Sequence, residues 1–173
     1  TLCVAEPGGL RVRKLSGLGA GQAAKVETYA GISLPEALAI AATFDPAKPP
    51  PSRNGWKATA AALFLPMGVG FDPQGNLYVA EAGTRSVSAI APLFGGAFAF
   101  DASALPQAPA RVLRIERATG TITIVCGPDG KWFTDPDAED ALVLPTGVAV
   151  APDGRLVIID SGANLVRILP AGS

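Results

Sequence analysis

The chain has 173 residues and a formal net charge of −1, with 14 Lys and Arg against 15 Asp and Glu. That length suits one domain of ordinary size or a piece of a larger one, and 49% hydrophobic content argues against disorder. The charge balance offers no broad basic face for nucleic acid, and the longest apolar run, around Ala89–Phe100, is too short to span a bilayer.

Leu2–Glu6 (LCVAE) reads as the first strand. Cys3 sits inside it as a small apolar residue, and Cys126 takes a similar place later. Two cysteines make no disulfide framework, so both are expected to be buried free thiols. Val12–Leu15 and Val26–Gly31 follow as strands. Between them Gly17–Lys25 (GLGAGQAAK) has the composition of a phosphate loop. It lacks the Gly-Lys-Ser/Thr ending, and no helical pattern follows, so a hairpin loop is expected. Ile32–Ala42 (ISLPEALAIAA) can hold a short helix, and Ala47–Arg53 (AKPPPSR) reads as extended polyproline-like loop.

Residues 65–83 (LPMGVGFDPQGNLYVAEAG) return 79 positions later as residues 144–162 (LPTGVAVAPDGRLVIIDSG). Each copy parses as a strand a, a Pro-Gly turn, a strand b ending in an acid, a glycine turn and a strand c. Strand a is Gly68–Asp72 in the first of these copies. Strand b is Leu77–Glu81, then Leu156–Asp160; both are nearly all apolar and are expected to be buried on two faces. Strand c is Val166–Leu169 in the later copy. In the earlier one it is either Val87–Ile90 or Arg111–Glu116. Thr121–Cys126 is β-branched and reads as strand d. The N-terminal strands fit the same scheme, since LCVAE matches LYVAE at Leu77–Glu81. The order b-c-d, a-b-c-d, a-b-c gives ten strands. Ala91–Ala110, rich in Ala, Gly and Pro, reads as an insertion.

Four short strands per unit, with turns at fixed offsets, is the pattern of a β-propeller blade. The fold expected is all-β: four-stranded antiparallel blades in an incomplete ring with long loop insertions. Residues 1–31 form a partial blade, 32–56 a Pro-rich insertion, 57–127 a full blade with its insertion at 91–110, and 128–173 a second partial blade. Pro66, Gly68, Val69, Asp72, Gly75, Leu77, Tyr78, Val79, Ala80 and Glu81 resemble the NHL repeat family of propellers, as do Pro145, Gly147, Val148, Ala149, Val150, Gly154, Leu156 and Asp160. Lys57–Ala61 (KATAA) resembles the run that precedes strand a in that family. The family's Asn and Arg after strand b are irregular here, with Arg11, Arg85 and Arg111 as candidates for the Arg. The resemblance implies five or six blades. Ten strands make two and a half, and a terminal a-b-c joined to a b-c-d would duplicate strands b and c. With no initial Met, the chain is therefore expected to be a fragment of a longer polypeptide.

No catalytic, cofactor-binding or metal-ligating residue emerges, and no cofactor is expected. Histidine is absent, which removes the commonest base and metal ligand. Without it no Ser-His-Asp triad forms within the chain. The acids Glu6, Glu81 and Asp160 recur at the ends of the b strands. A carboxylate ring for a cation is one reading; capping of the following turn is the one favoured, because a position repeated in every blade serves the blade. Asp135, Asp137, Glu139 and Asp140 lack the glycine and final Glu of a calcium loop and read as solvated. Trp56 and Trp132 are expected to pack between blades.

The function expected is a non-enzymatic module for protein–protein interaction or structural assembly. Its partner is another protein or the remaining blades of the same polypeptide, with no nucleic acid and no membrane span. The resemblance also implies an alternative: part of a metal-dependent propeller lyase or lactone/ester hydrolase whose ligands lie in other blades. Arg11, Arg13, Lys14 and Lys25 cluster, as RNA-binding relatives would need, but the net charge supports no broad basic face. The PAKPPPS run resembles those of secreted wall and matrix glycoproteins, which leans the location towards extracellular.

Overall fold

The structure, a computed structural model, describes residues 2–19, 21–43, 52–85, 107–135 and 139–172. Along the chain lie β1 (Leu2–Glu6), β2 (Arg11–Ser16), β3 (Lys25–Gly31), α1 (Leu34–Ala41), β4 (Pro66–Phe71), β5 (Leu77–Glu81), β6 (Arg111–Ile115), β7 (Ile122–Cys126), β8 (Pro145–Val150), β9 (Leu156–Asp160) and β10 (Leu165–Leu169). They make three antiparallel sheets ordered β1-β2-β3, β4-β5-β6-β7 and β10-β9-β8. This is an incomplete β-propeller: one four-stranded blade between two three-stranded ones.

Strand c of the middle blade is β6. It pairs with β5 from Leu77↔Ile115 to Glu81↔Arg111 and with β7 on its other side. The competing segment Val87–Ile90 lies outside the described residues, as do 91–106 of the insertion and 44–51 of the Pro-rich run. The Pro-Gly turns form as expected. Gly75 and Gly154 take φ of 84° and 85°, and their N–H groups bond the carbonyls of Asp72 and Ala151. The short helix α1 starts at a capping box, where Ser33 accepts the Glu36 N–H and Glu36 reaches back to the Ser33 N–H. Residues 17–19 and 21–24 lie between β2 and β3, where the hairpin loop belongs.

The sheets stack face to face. Leu77 and Val79 of β5 meet Cys3, Val12 and Ala30 of the first sheet, together with Leu113, Ile115, Ile122 and Ile124. Tyr78 and Ala80 look the other way, onto Leu156, Ile158 and Leu169 of the third sheet. All five residues of β5 are buried, as its apolar run implies. The same reading fails for β9, where Ile159 is 49% exposed. The run is apolar on both faces, but only one face of the third sheet is covered.

Residues 54–58 run along the free edge of β7. Gly55 N–H bonds the Ile122 carbonyl, Ile122 N–H bonds that of Trp56, and Asn54 Oδ1 accepts the Ile124 N–H at 2.6 Å. The edge is thereby closed, which removes a template for aggregation. Trp132 packs against the core between the second and third sheets. Trp56 does not pack between blades: its indole is exposed, and its backbone makes the contact.

The inner strands β4 and β8 approach closely because β4 carries glycines. A Cβ on Gly68 would stand 2.6 Å from the Thr146 carbonyl oxygen, and one on Gly70 2.5 Å from that of Val148. Neither glycine has positive φ, so the constraint is space and not backbone conformation. Gly68→Ala is expected to destabilise by about 1–3 kcal/mol through overpacking, read from the urea midpoint.

Both thiols are free and buried. Burial pushes the Cys126 thiol up from 9.0 to about 12. The folded chain thus keeps a proton that an unfolded cysteine loses. This contribution is fully present below about pH 9 and declines as pH rises towards 12, by about 1.4 kcal/mol per pH unit. Cys126→Ala should therefore flatten the alkaline limb of the stability–pH curve relative to the wild type. Parallel limbs would refute the assignment.

Candidate functional site

The acids Glu6, Glu81 and Asp160 end β1, β5 and β9, on the side of the stack away from the Pro-Gly turns. Glu81 is fully buried. It accepts the Phe64 N–H at 2.8 Å and a forked pair from Arg53, at 2.8 Å from Nη1 and 2.6 Å from Nη2. Arg53 is buried too; it also bonds the Ala62 carbonyl and lies 4.9 Å over the Phe64 ring. Asp160, equally buried, accepts the Leu144 N–H at 2.8 Å, the Val143 N–H at 3.3 Å and Arg167 Nε at 2.9 Å. Arg167 continues to the carbonyls of Asp140 and Ala141 and lies 4.7 Å over Phe133. Glu6 is less buried. Its hydrogen bond from Arg11, 2.7 Å long, holds its carboxyl below the ordinary value.

These carboxylates do not cap the following turn. The backbone donors of Glu81 and Asp160 lie just before β4 and β8, so each acid ties the end of strand b to the entry of strand a. Main-chain bonds reinforce the tie: Ala82 N–H to Leu65 and Ser161 N–H to Leu144. Each carboxylate is already neutralised by a guanidinium, which makes the set a lock within blades and not an open ligand ring.

The register accounts for the arginine of only one of the three acids: Arg167 bonds Asp160, whereas Arg13 lies 3.8 Å from Glu6 and Arg11 donates to it. Arg13, Leu113 and Arg167 stand opposite Val4, Val79 and Ile158, the same place in three blades. The middle blade has Leu113 there, and Arg53 from the preceding loop supplies the guanidinium instead. Of the sequence candidates, Arg11 pairs with Glu6. Arg111 instead bonds the Pro128 carbonyl and Asp129. Burial, then the neighbouring Arg53, pushes the Arg111 guanidinium down from its ordinary value. Arg85 donates its backbone N–H to the Ala108 carbonyl. Arg53 and Arg167 were not singled out from sequence.

At the opposite end a groove of about 720 Å³ opens between the second and third sheets. Asp72, Asn76, Tyr78, Arg114, Lys131 and Asp153 line it. Asp72 is engaged by Asn76, and Asp153 by Arg155 at 2.7 Å. Burial raises the Tyr78 phenol above its ordinary value. No group of three His, Cys, Asp or Glu side chains placed to hold a metal occurs among the described residues. Of the acidic loop, Asp137 lies outside them, and Asp140 serves Arg167 through its carbonyl.

Residues 142–169 match the family model of the NHL repeat. The chain carries an NHL repeat. The matched stretch spans β8, β9 and β10 and contains both Asp160 and Arg167. The first and second sheets share the strand register of this stretch, and Leu113 stands in the second where Arg167 stands in the third. No curated protein matches the sequence. A solved structure, a protein of unknown function from Bacteroides thetaiotaomicron, superposes with a TM-score of 0.56 at 15% identity. The match covers 96% of this chain and 31% of that one, so this chain spans under a third of its neighbour's length.

Proposed function

We propose that the chain is a non-enzymatic NHL-type propeller module for protein–protein interaction or structural assembly, acting within a larger propeller. One observation carries this reading: the middle blade is covered on both faces, whereas each outer blade leaves an apolar face open. Leu2, Val4 and Val26 are exposed on the first sheet, and Ile159, Val166 and Ile168 on the third. Contiguous apolar surface of this kind marks contact with another protein. The alternative of a metal-dependent hydrolase or lyase draws no support from the described residues, because the recurring acids are held by arginines.

Cross-linking of the protein in its native source tests the reading. A discrete cross-linked product is expected, from a partner chain or from further blades. Recovery of a single 17.5 kDa species with no such product would overturn it.

A further inference from the structure

Tyr78, Arg114 and Thr123 face one another across β5, β6 and β7, in the registers Tyr78↔Arg114 and Arg114↔Thr123. Directly paired residues share a face of a sheet, so the three form a polar row on the side that the second sheet turns towards the third. The row lines the groove of about 720 Å³ between those sheets. The repeat does not require it. Register places Val157 and Ile168 there in the third sheet, and Cys3 and Lys14 in the first. A position repeated in every blade serves the blade; one that departs from the repeat is free for another use.

The charges of the groove are arranged unlike those of the lock. There Arg53 and Arg167 each meet a carboxylate. In the groove neither Arg114 nor Lys131 forms an ion pair with a described residue. Lys131 lies 5.5 Å over the Trp132 ring, which leaves its ammonium without a counter-ion among the described residues. The two acids of the lining are already engaged. Asp72 accepts the Asn76 N–H and side-chain amide at 2.8 Å each, and Asp153 is held by Arg155 at 2.7 Å. Tyr78 is 6% exposed, and the Arg114 guanidinium beside it is placed to donate to the phenol oxygen. That leaves the hydroxyl proton for a ligand. Val125 and Val150 add an aliphatic wall, packed in the same apolar cluster as Tyr78. A few converging polar groups against apolar walls, in a volume within roughly 300–1,000 Å³, is the composition of a small-molecule site.

We propose that the groove between the second and third sheets binds a small organic carboxylate with an aliphatic body. Arg114 and Lys131 take the carboxylate, which suits the planar fork of a guanidinium. The hydroxyls of Tyr78 and Thr123 add hydrogen bonds, and Val125 and Val150 cover the carbon chain. Inorganic phosphate also suits the cations, but it leaves the aliphatic wall without a partner, and the two carboxylates of the lining repel a doubly charged group more strongly. The site goes beyond the assembly reading and does not rest on it, since every lining group belongs to two blades of this chain.

Isothermal titration of the full chain with sodium hexanoate, sodium acetate and inorganic phosphate at low ionic strength tests this. Hexanoate is expected to bind at least tenfold more tightly than acetate, because burial of two methylenes is enough for that factor. It should also bind more tightly than phosphate. Arg114→Gln should weaken hexanoate at least tenfold. Lys131→Gln should weaken it by a smaller factor, since Lys131 is exposed. Lys25→Gln, exposed on the first sheet, should change nothing. Asp72→Asn should tighten binding: it removes a like charge, and its amide oxygen still accepts from Asn76.

No binding of any of the three probes would overturn the proposal. So would equal affinities for acetate and hexanoate, which would leave a bare anion contact, and so would tighter binding of phosphate. Hexanoate binding untouched by both Arg114→Gln and Lys131→Gln would place the ligand elsewhere. Weakening by Asp72→Asn would mean that the groove takes a cationic group. Either result counts against it. A capped Leu-Glu-Leu peptide that binds more tightly than hexanoate would make the occupant an acidic segment of a partner protein, and would overturn the proposal too. Native cross-linking is unaffected by any of these failures, so the assembly reading stands or falls separately.

Discussion

Replacing Arg53 by Ala is expected to lower the unfolding free energy by about 3–5 kcal/mol, the range for stranding one member of a buried ion pair. Both side chains are withdrawn from water, at 4% and 0% exposure, so solvent does not screen the loss. Glu81 would keep only the Phe64 N–H, and its charge would have no counter-ion in the fork that Arg53 fills. The substitution also removes the stacking on Phe64 and the bond to the Ala62 carbonyl, which fasten the loop ahead of β4. Adding Glu81→Gln should return more than half of the deficit. A neutral amide can still accept the Phe64 N–H, and it leaves no buried charge behind. Urea unfolding of the two single variants and the double variant measures the coupling directly. An Arg53→Ala loss below about 1 kcal/mol, the level of exposed pairs, would show that the pair is solvated and the lock weak.

Arg53 also marks where sequence reading stops. The strands are legible because turn residues and apolar runs recur at a fixed interval, and they fall within a residue or two of where the repeat places them, strand c of the middle blade excepted. Either Val87–Ile90 or Arg111–Glu116 can alternate as strand c of the middle blade; only the pairing of Glu81 with Arg111 decides between them. The recurring acids were visible, and their serving the blade was the favoured reading, but their partners were not. Arg53 lies 28 residues before Glu81, across a loop whose path no local pattern fixes. Its one trace is an absence: Leu113 fills the position that Arg13 and Arg167 fill in the matching strands. Arg167 was open to recognition, because VRIL at Val166–Leu169 was already aligned with VRKL at Val12–Leu15. The exposure of β9 and the groove at Arg114 and Lys131 depend on which sheet lies alongside, and that information is not held in any one segment.

Asp160→Ala should cost about 3 kcal/mol, at the lower end of the range for breaking a buried charged pair. The carboxylate gathers donors from two places, the Leu144 and Val143 N–H groups before β8 and the Arg167 guanidinium on β10. Truncation leaves a buried backbone donor without its acceptor and a guanidinium without its counter-ion. The loss stops short of that expected for Arg53→Ala because Arg167 retains the carbonyls of Asp140 and Ala141 and its seat over Phe133. Asp160→Asn separates the two contributions. Its amide oxygen can still take the Leu144 N–H, so the backbone share is kept while the charge share goes, and about half of the Ala deficit is expected. The position of the damage is as informative as its size. If the acid ties the end of β9 to the entry of β8, residues 139–144 should become sensitive to limited proteolysis in the Ala variant before β9 and β10 separate. Uniform sensitivity across the third sheet would mean that Asp160 holds the sheet as a whole, and a loss under about 1 kcal/mol would remove it from the lock altogether.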